Sequence, residues 1–286
     1  MIARETLIAA YDAYLRALAE GRPESLPLDE GVRFTECGQA MPLGSGLWGT
    51  VEQVGSCYAQ FADVRLGQVA GYCAVREGGD LAVLMVRLAL SEAGRITEIE
   101  TVVCRRRNVL FRPEAMFAPS PILRKPDRLA DREFLARVPH LYFDAIIADD
   151  AAMLPIHDDC VRIECGEAVT CQPEDGMRKA ARGFDLYSMG VAEQIDCQFF
   201  CYCTAIEERR VYVDEEQGIA FAMARFDFPG TVRSWRFRRG EERSTEPHQR
   251  VPRSILIMEA FQVDHGRISA IETIFENCPF LMPTGW

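Results

Sequence analysis

Four histidines in 286 residues leave few candidates for imidazole chemistry or metal ligation. Of these, His157 is followed directly by Asp158 and Asp159, and three adjacent residues cannot converge on one ion, so no metal is expected. The eleven cysteines include no C-x-x-C pair and follow no regular spacing, which speaks against a disulfide framework or a zinc site. They read as reduced core thiols of a cytoplasmic protein. No apolar run approaches the length of a membrane span. Met1–Ala19 carries Arg4, Glu5, Asp12 and Arg16 at helical spacing in place of an apolar leader core. There is no P-loop, no G-x-S-x-G elbow and no G-x-G-x-x-G in a βαβ unit, and the lone G-x-G, Gly44 to Gly46, has no strand-to-helix context, so no nucleotide or other cofactor is expected. With 32 basic against 43 acidic residues the net charge is −11, which argues against a nucleic-acid partner. The single basic stretch, Arg233 to Arg243, is broken by Glu241 and Glu242 and reads as a solvated loop.

What the chain does have is a repeat. Gly94-Arg95-Ile96-Thr97-Glu98-Ile99-Glu100-Thr101-Val102 matches Gly266-Arg267-Ile268-Ser269-Ala270-Ile271-Glu272-Thr273-Ile274 at an offset of 172. Val32-Arg33-Phe34-Thr35-Glu36-Cys37-Gly38 matches Val161-Arg162-Ile163-Glu164-Cys165-Gly166, with Glu36 against Glu164 at an offset of 128. Tyr14-Leu15 and Leu26-Pro27-Leu28 match Tyr142-Phe143 and Leu154-Pro155-Ile156 at the same 128. Three matches in one order predict two tandem modules, 1–125 and 130–286, the length that about 150 residues per domain allows. The growing offset places about 44 extra residues in the second copy, between Val169 and Arg253.

Leu7, Tyr11, Tyr14, Leu15 and Leu18 mark one face of an amphipathic helix. Phe134, Val138, Leu141, Tyr142, Ala145 and Ile146 repeat it, with Pro139 expected to kink or start the second helix. Trp48–Phe61 and Met189–Cys201 read as a further helix in each copy. Runs at 32–39, 68–76, 81–90 and 96–105 read as strands, as do those at 210–213, 219–228, 255–263 and 268–276. Helices first and antiparallel strands after make the class α+β. Leu81–Val86 and Ile255–Met258 are apolar on both faces, which predicts that the two sheets pack against each other.

Helices followed by a curved sheet with a strand reading G-R-I-x-x-I-E-x, together with Phe34–Gln39, Leu43–Trp48 and Pro283–Trp286, resemble tandem members of the nuclear-transport-factor-2-like superfamily, which includes polyketide-cyclase-like proteins. The resemblance covers nearly the whole chain twice. It implies two cone-shaped modules, each with helices packed on a bent antiparallel sheet and an open end holding a mostly apolar pocket. It also implies acid/base chemistry without a cofactor and dimers packed through their sheets, hence a homo-oligomer. Among tandem members it points to a lyase that releases formaldehyde from lignin-derived diarylpropanes. No catalytic residue of that enzyme is carried over to this chain.

The chemistry-bearing candidates come from the residues themselves. Glu272 and Glu100 alternate with apolar strand residues, and desolvation raises such a carboxylate toward useful acid/base range. Arg225 and Asp227 share a face with Phe221 and Met223, either as a structural pair or to polarise a substrate oxygen. Tyr14 and Tyr142 lie on inner helix faces and can donate to a developing oxyanion. Trp48, after the Gly44–Gly46 hinge, and Trp235, in the insertion, could wall an aromatic ligand. The expected catalytic set is Glu272, Tyr142, Arg225 and Asp227 in the larger module, with Tyr14, Trp48, Glu100 and Trp235 as substrate contacts. The expected function is a lyase acting on a small aromatic molecule. The alternatives are an isomerase, dehydratase or cyclase using the same groups, or a non-catalytic module that binds a ligand or protein. Counting seven residues back from Gly94 and from Gly266 makes Arg87 and Glu259 equivalent, and they are expected to pair across the sheet interface.

Overall fold

The computed structural model describes residues 1–105, 111–172, 186–237 and 240–286. It contains two modules built in the same order. The first opens with α1 (Arg4–Glu20), then β1 (Leu28–Glu36), β2 (Gln39–Ala40), a one-turn α2 (Leu47–Thr50), β3 (Val51–Asp63), β4 (Gln68–Glu77), β5 (Asp80–Leu90) and β6 (Ile96–Cys104). The second opens with α3 (Arg132–Ala148), then β7 (Ile156–Glu164), β8 (Glu167–Ala168), α4 (Val191–Asp196), β9 (Ala205–Asp214) and β10 (Ile219–Phe228). A hairpin of β11 (Ser234–Phe237) and β12 (Glu241–Ser244) precedes β13 (Arg253–Asp264) and β14 (Arg267–Cys278). The sheet orders are β2-β1-β6-β5-β4-β3 and β8-β7-β14-β13-β10-β9. Both are antiparallel except for one parallel pair each, β1 with β6 and β7 with β14. Among the described residues, no helix is long and apolar enough to cross a membrane.

The two long helices fold as their periodicity predicts. α1 buries Leu7, Tyr11, Tyr14, Leu15 and Leu18, and ends at Gly21, whose left-handed φ of 64° lets its N–H reach back to Ala17 and Leu18. α3 starts at Asp131, whose carboxylate accepts from Phe134 N at 2.7 Å, so Pro139 lies inside the helix and neither starts nor ends it. The expected helix at Trp48–Phe61 is corrected: only Leu47–Thr50 is helical, and 51–63 is an edge strand. Three register shifts along β3 break the two-residue alternation by which a strand is read from sequence. Its counterpart is β9, and the helix expected at Met189–Cys201 is confined to α4.

The single insertion also resolves differently. Asp63 and Asp214 end equivalent edge strands at an offset of 151, between the earlier 128 and the later 172. The second module has therefore gained residues in two places, before β9 and between β10 and β13. Residues 173–185 and 238–239, within those stretches, lie outside the described set. The Arg233–Arg243 stretch expected as a loop contains β11 and β12.

Both sheets are apolar on two faces because each is covered twice. One face packs on the helix of its own module. The other packs on the opposite sheet, through Tyr58, Phe61, Tyr72 and Met85 of the first module and Tyr212, Phe221, Met258 and Ile274 of the second. Phe61 stacks on Phe221 with ring centroids 5.4 Å apart.

Polar groups in this interface are matched reciprocally. Fully buried Asp63 accepts from Val213 N at 2.9 Å and from Arg132 at 2.7 Å. Fully buried Asp214 accepts from Ala62 N at 2.9 Å and from Arg4 at 2.7 Å. Each module's first helix thus supplies an arginine that bonds the aspartate of its partner module's edge strand. Glu100 is held by Arg87 of its own module at 2.8 Å and by both terminal nitrogens of Arg210 at 2.6 and 2.7 Å. Its repeat-mate Glu272 has no arginine partner among the described residues and accepts from Tyr58 at 2.8 Å and Ser120 at 2.9 Å. Burial, opposed by those two hydroxyls, pushes the Glu272 carboxyl up to about 8.

The expected Arg87–Glu259 pair is not formed. Arg87 bonds Glu98, Glu100 and Gln68, all in its own module, whereas Glu259 accepts from Thr273 on the far face of its own sheet. The reason is turn length. Five residues separate the paired Leu90 and Ile96, but four separate the paired Val263 and Ile268. Arg87 is opposite Glu100, and Ala260 is opposite Glu272, so Ala260 is the true equivalent of Arg87. A one-residue slip moves a side chain to the other face.

Two stability predictions follow from these bonds. Asp63→Ala strands Arg132 and the Val213 N–H, and Asp214→Ala strands Arg4 and the Ala62 N–H. Each is expected to cost about 3 kcal/mol, measured as a lower urea midpoint, and a wild-type midpoint would refute the role assigned to these aspartates. Glu272 keeps a proton in the folded chain that the unfolded chain loses above about 4.5. Its contribution is fully present below that pH and is lost as pH rises toward about 8. Glu272→Gln should therefore flatten the fall of melting temperature between pH 5 and 8 (about these bounds) and make the variant the more stable form at the alkaline end.

Candidate functional site

A cavity of about 450 Å³ lies inside the second cone. α3 contributes Tyr142 and Ile146, and β10 contributes Phe226 and Phe228. The inward face of β13 lays Arg253, Ile255, Ile257 and Glu259 along it at two-residue spacing. Arg162 and Glu164 come from β7, and Phe275 and Asn277 from β14. The two insertions close the rest. The first supplies Gln194, Phe199, Phe200 and Tyr202, and the second supplies His248, Gln249 and Val251. Aromatic and aliphatic walls with few convergent polar groups are the usual make-up of a small-molecule site.

The polar groups cluster on Arg162, which is 2% exposed. It donates to the Tyr142 hydroxyl at 2.9 Å and to Gln194 Oε1 at 2.5 Å. Its Nε lies 2.9 Å from Glu164, close enough for an ion pair although the N–H does not aim at the carboxylate. Gln194 is oriented by donating to the Val169 and Leu186 carbonyls, so its oxygen faces Arg162. The Phe200 ring lies 5.0 Å from the guanidinium carbon.

Beside this cluster stands Glu259, 3% exposed. Its Oε1 accepts from Thr273 at 2.8 Å, and its buried Oε2 has no hydrogen-bond partner among the described residues. Burial pushes its carboxyl up to about 7, opposed by the Thr273 hydroxyl and the Arg162 charge. Burial also pushes the Tyr142 hydroxyl up, against the pull of Arg162, so at neutral pH it keeps its proton. Because Tyr142 already accepts from Arg162, that proton is available to a bound molecule.

Among the described residues the first cone has no such set. Val86 is opposite Thr101 as Glu259 is opposite Thr273, and Phe34 is opposite Ile99 as Arg162 is opposite Ile271. Tyr14 is retained, but Trp48 packs edge-on against it at 5.3 Å and fills the space.

Of the residues expected from sequence, Tyr142 lines the cavity. Glu272 and Glu100 do not; they lie in the interface between the sheets. Arg225 and Asp227 are also outside the cavity. Arg225 bonds Asp227 at 2.9 Å and also Glu208, while Asp227 accepts from Ser254 at 2.6 Å and Glu208 from Thr284 at 2.9 Å, a network that ties down the C-terminal segment. Tyr14 and Trp48 are core residues of the other module. Trp235 packs behind the wall, its ring 6.5 Å from that of Phe199. Among the described residues no three His, Cys, Asp or Glu side chains converge as a metal site would require, and His157 lies 3.3 Å from the Asp264 carbonyl. Sequence reading missed Arg162, Gln194, Arg253 and the inward orientation of Glu259. The signal for Arg162 and Glu259 was present as a difference between the copies at equivalent strand positions.

No curated protein matches the sequence. Among solved structures, the chain is similar to a de novo designed protein with a curved β-sheet, at 20% identity over 36% of this chain and 88% of that one, with a TM-score of 0.31. It is similar to a steroid delta-isomerase from Pseudomonas aeruginosa, at 16% identity over 37% and 83%, with a TM-score of 0.30. It is also similar to an LEH-like epoxide hydrolase from M. tuberculosis, at 13% identity over 50% and 84%, with a TM-score of 0.31. Each of these likenesses covers half of this chain or less, and none carries an argument about chemistry. A family model described as "Domain of unknown function (DUF8021)" matches residues 128–275, α3 through most of β14, and the chain belongs to that family.

Proposed function

We propose that the second module is a proton-transfer enzyme acting on a small, ring-bearing molecule that carries an oxygen next to the reacting carbon. The observation that carries this reading is Glu259. It is a buried carboxyl on the wall of an aromatic cavity, one of whose oxygens has no hydrogen-bond partner among the described residues, near a tyrosine hydroxyl that already accepts from Arg162. A carboxyl titrating at about 7 is matched to proton transfer at neutral pH.

In this reading ionised Glu259 takes a proton from the substrate, from a carbon next to a carbonyl or from a hydroxymethyl O–H. In the first case the electron pair moves onto the carbonyl oxygen, where the Tyr142 hydroxyl donates to it. Return of the proton to a different carbon completes an isomerisation, and loss of a neighbouring leaving group completes an elimination. In the second case the carbon–carbon bond breaks, formaldehyde leaves, and the carbon left with the electron pair takes up the proton. This is the lyase reaction suggested by the sequence resemblance, and the aromatic walls suit its diarylpropane substrates. Arg162 positions Tyr142, and Gln194 positions Arg162. A binding module without turnover is the competing reading, but it gives no reason to bury a carboxyl with an unused oxygen.

The test is solvent-deuterium incorporation into a panel of aryl ketones, followed by NMR, alongside formaldehyde release from diarylpropane dimers. The rate should rise with pH through about 7, because the base works only when ionised. Glu259→Gln should lower kcat by about 10²–10⁴ without lowering the melting temperature. Exchange in the variant at the wild-type rate, or none in either protein with any substrate, would sink the proposal. Exchange without formaldehyde release would leave the proton-transfer reading standing and remove the lyase.

A further inference from the structure

The cavity has a second charged end. Arg253 begins the same inward row of β13 that carries Glu259, with Ile255 and Ile257 between them. The two are six residue steps apart along the strand, about 20 Å of backbone at roughly 3.3 Å per residue. The Arg253 guanidinium lies 4.6 Å from the Phe228 ring centre and donates to the His248 carbonyl at 3.1 Å. Those two contacts fix its plane. Among the described residues it makes no ion pair with a carboxylate. Arginines 87, 105, 132, 162, 209, 210 and 225 have acidic partners, whereas Arg253, like Arg33, is held by a backbone carbonyl and an aromatic ring, and of these two it is Arg253 that lines the cavity. The nearest acidic lining residues do not neutralise it: Glu164 is paired with Arg162, and Glu259 lies at the other end.

We infer that the substrate is an elongated aromatic acid, whose anionic group is bound by Arg253 while its other end meets Glu259 and Tyr142. The inference rests on the reading of this cavity given above and adds the substrate class. A guanidinium held flat by a ring and one carbonyl still presents N–H groups in the fork that fits a carboxylate. The apolar stretch between the two ends suits one or two aromatic rings, and Arg253 is half-buried at its end of the cavity. Opposite ends then do different work, Arg253 selecting and aligning the molecule and Glu259 exchanging its proton.

The matched probes are 4′-hydroxybiphenyl-4-carboxylate and the corresponding 4-carboxamide, which differ in charge at one end only. Calorimetry on the full chain should show the acid binding about ten-fold or more tightly than the amide. Arg253→Met should abolish that preference while leaving the amide's affinity unchanged, which also shows that the cavity is intact. Arg253→Lys should retain part of the preference. Equal affinities in the wild type, no binding of the acid, or a preference that survives in Arg253→Met would overturn the inference. Glu259→Gln separates the two claims. It should keep the preference for the acid and lose proton exchange, so a failed acid preference with intact Glu259-dependent exchange removes only the substrate class.

Discussion

A sheet covered on both faces has no solvated side on which to leave a charge, and the rest of this structure follows from that constraint. Because the two modules pack sheet to sheet, every acidic residue buried in the sheets must find a counter-charge, find hydroxyls, or hold its proton. Asp63, Asp214 and Glu100 take the first course, each with an arginine bridging the modules. Glu272 takes the second and third in the interface, with Tyr58 and Ser120. Glu259 differs because one of its oxygens has no hydrogen-bond partner among the described residues. Asp149 also has a buried oxygen without a hydrogen-bond partner among the described residues, but Glu259 is the one of the two that lines the cavity, which is where a bound molecule could supply what the fold withholds.

Much of the architecture was legible because the chain states it twice. The Gly-Arg-Ile strands, the Tyr14 and Tyr142 helix faces and the two-sided apolar strands were enough to place two α+β modules packed through their sheets. Edge strand β3 was not legible. Its three register shifts erase the period of two, and with Trp48, Val51 and Val54 near its start it imitates a helix. Parallel pairing of β1 with β6 was equally hidden, since order along the chain does not fix the order across the sheet.

The site was less legible than the fold, for two local reasons. Aligning Val32-Arg33 with Val161-Arg162 conceals the fact that Arg162 takes the place of Phe34, because the shared Val-Arg pair draws the eye one residue out of register. Arg33 in fact lies under the Trp286 ring, 4.4 Å from its centre, far from any cone interior. Likewise Glu272 looked like the active carboxylate because it alternates with isoleucines. Alternation shows that a face is buried but not what buries it. Here the covering layer is the other sheet, and the carboxylate that faces the cone interior is on the neighbouring strand.

That neighbouring strand shows how little sequence change divides a filled cone from a hollow one. With the turn before β14 one residue shorter than its counterpart, Glu259 falls opposite Thr273 on the inward row, where the first module has Val86. Arg162 in place of Phe34 then supplies the charge that such a carboxyl needs nearby, and Tyr142, kept in both copies, acquires a donor to its oxygen. These changes alone would leave polar groups open to water. The two insertions supply the missing walls, with Phe199, Phe200 and Tyr202 on one side and Gln249 and Val251 on the other. In the first module the space beside Tyr14 is taken by Trp48, and its sheet serves to cover the second. The unequal copies thus divide the work: one is a solid support whose edge strand clamps the interface, and the other is a shell around a carboxyl held near neutrality by its surroundings.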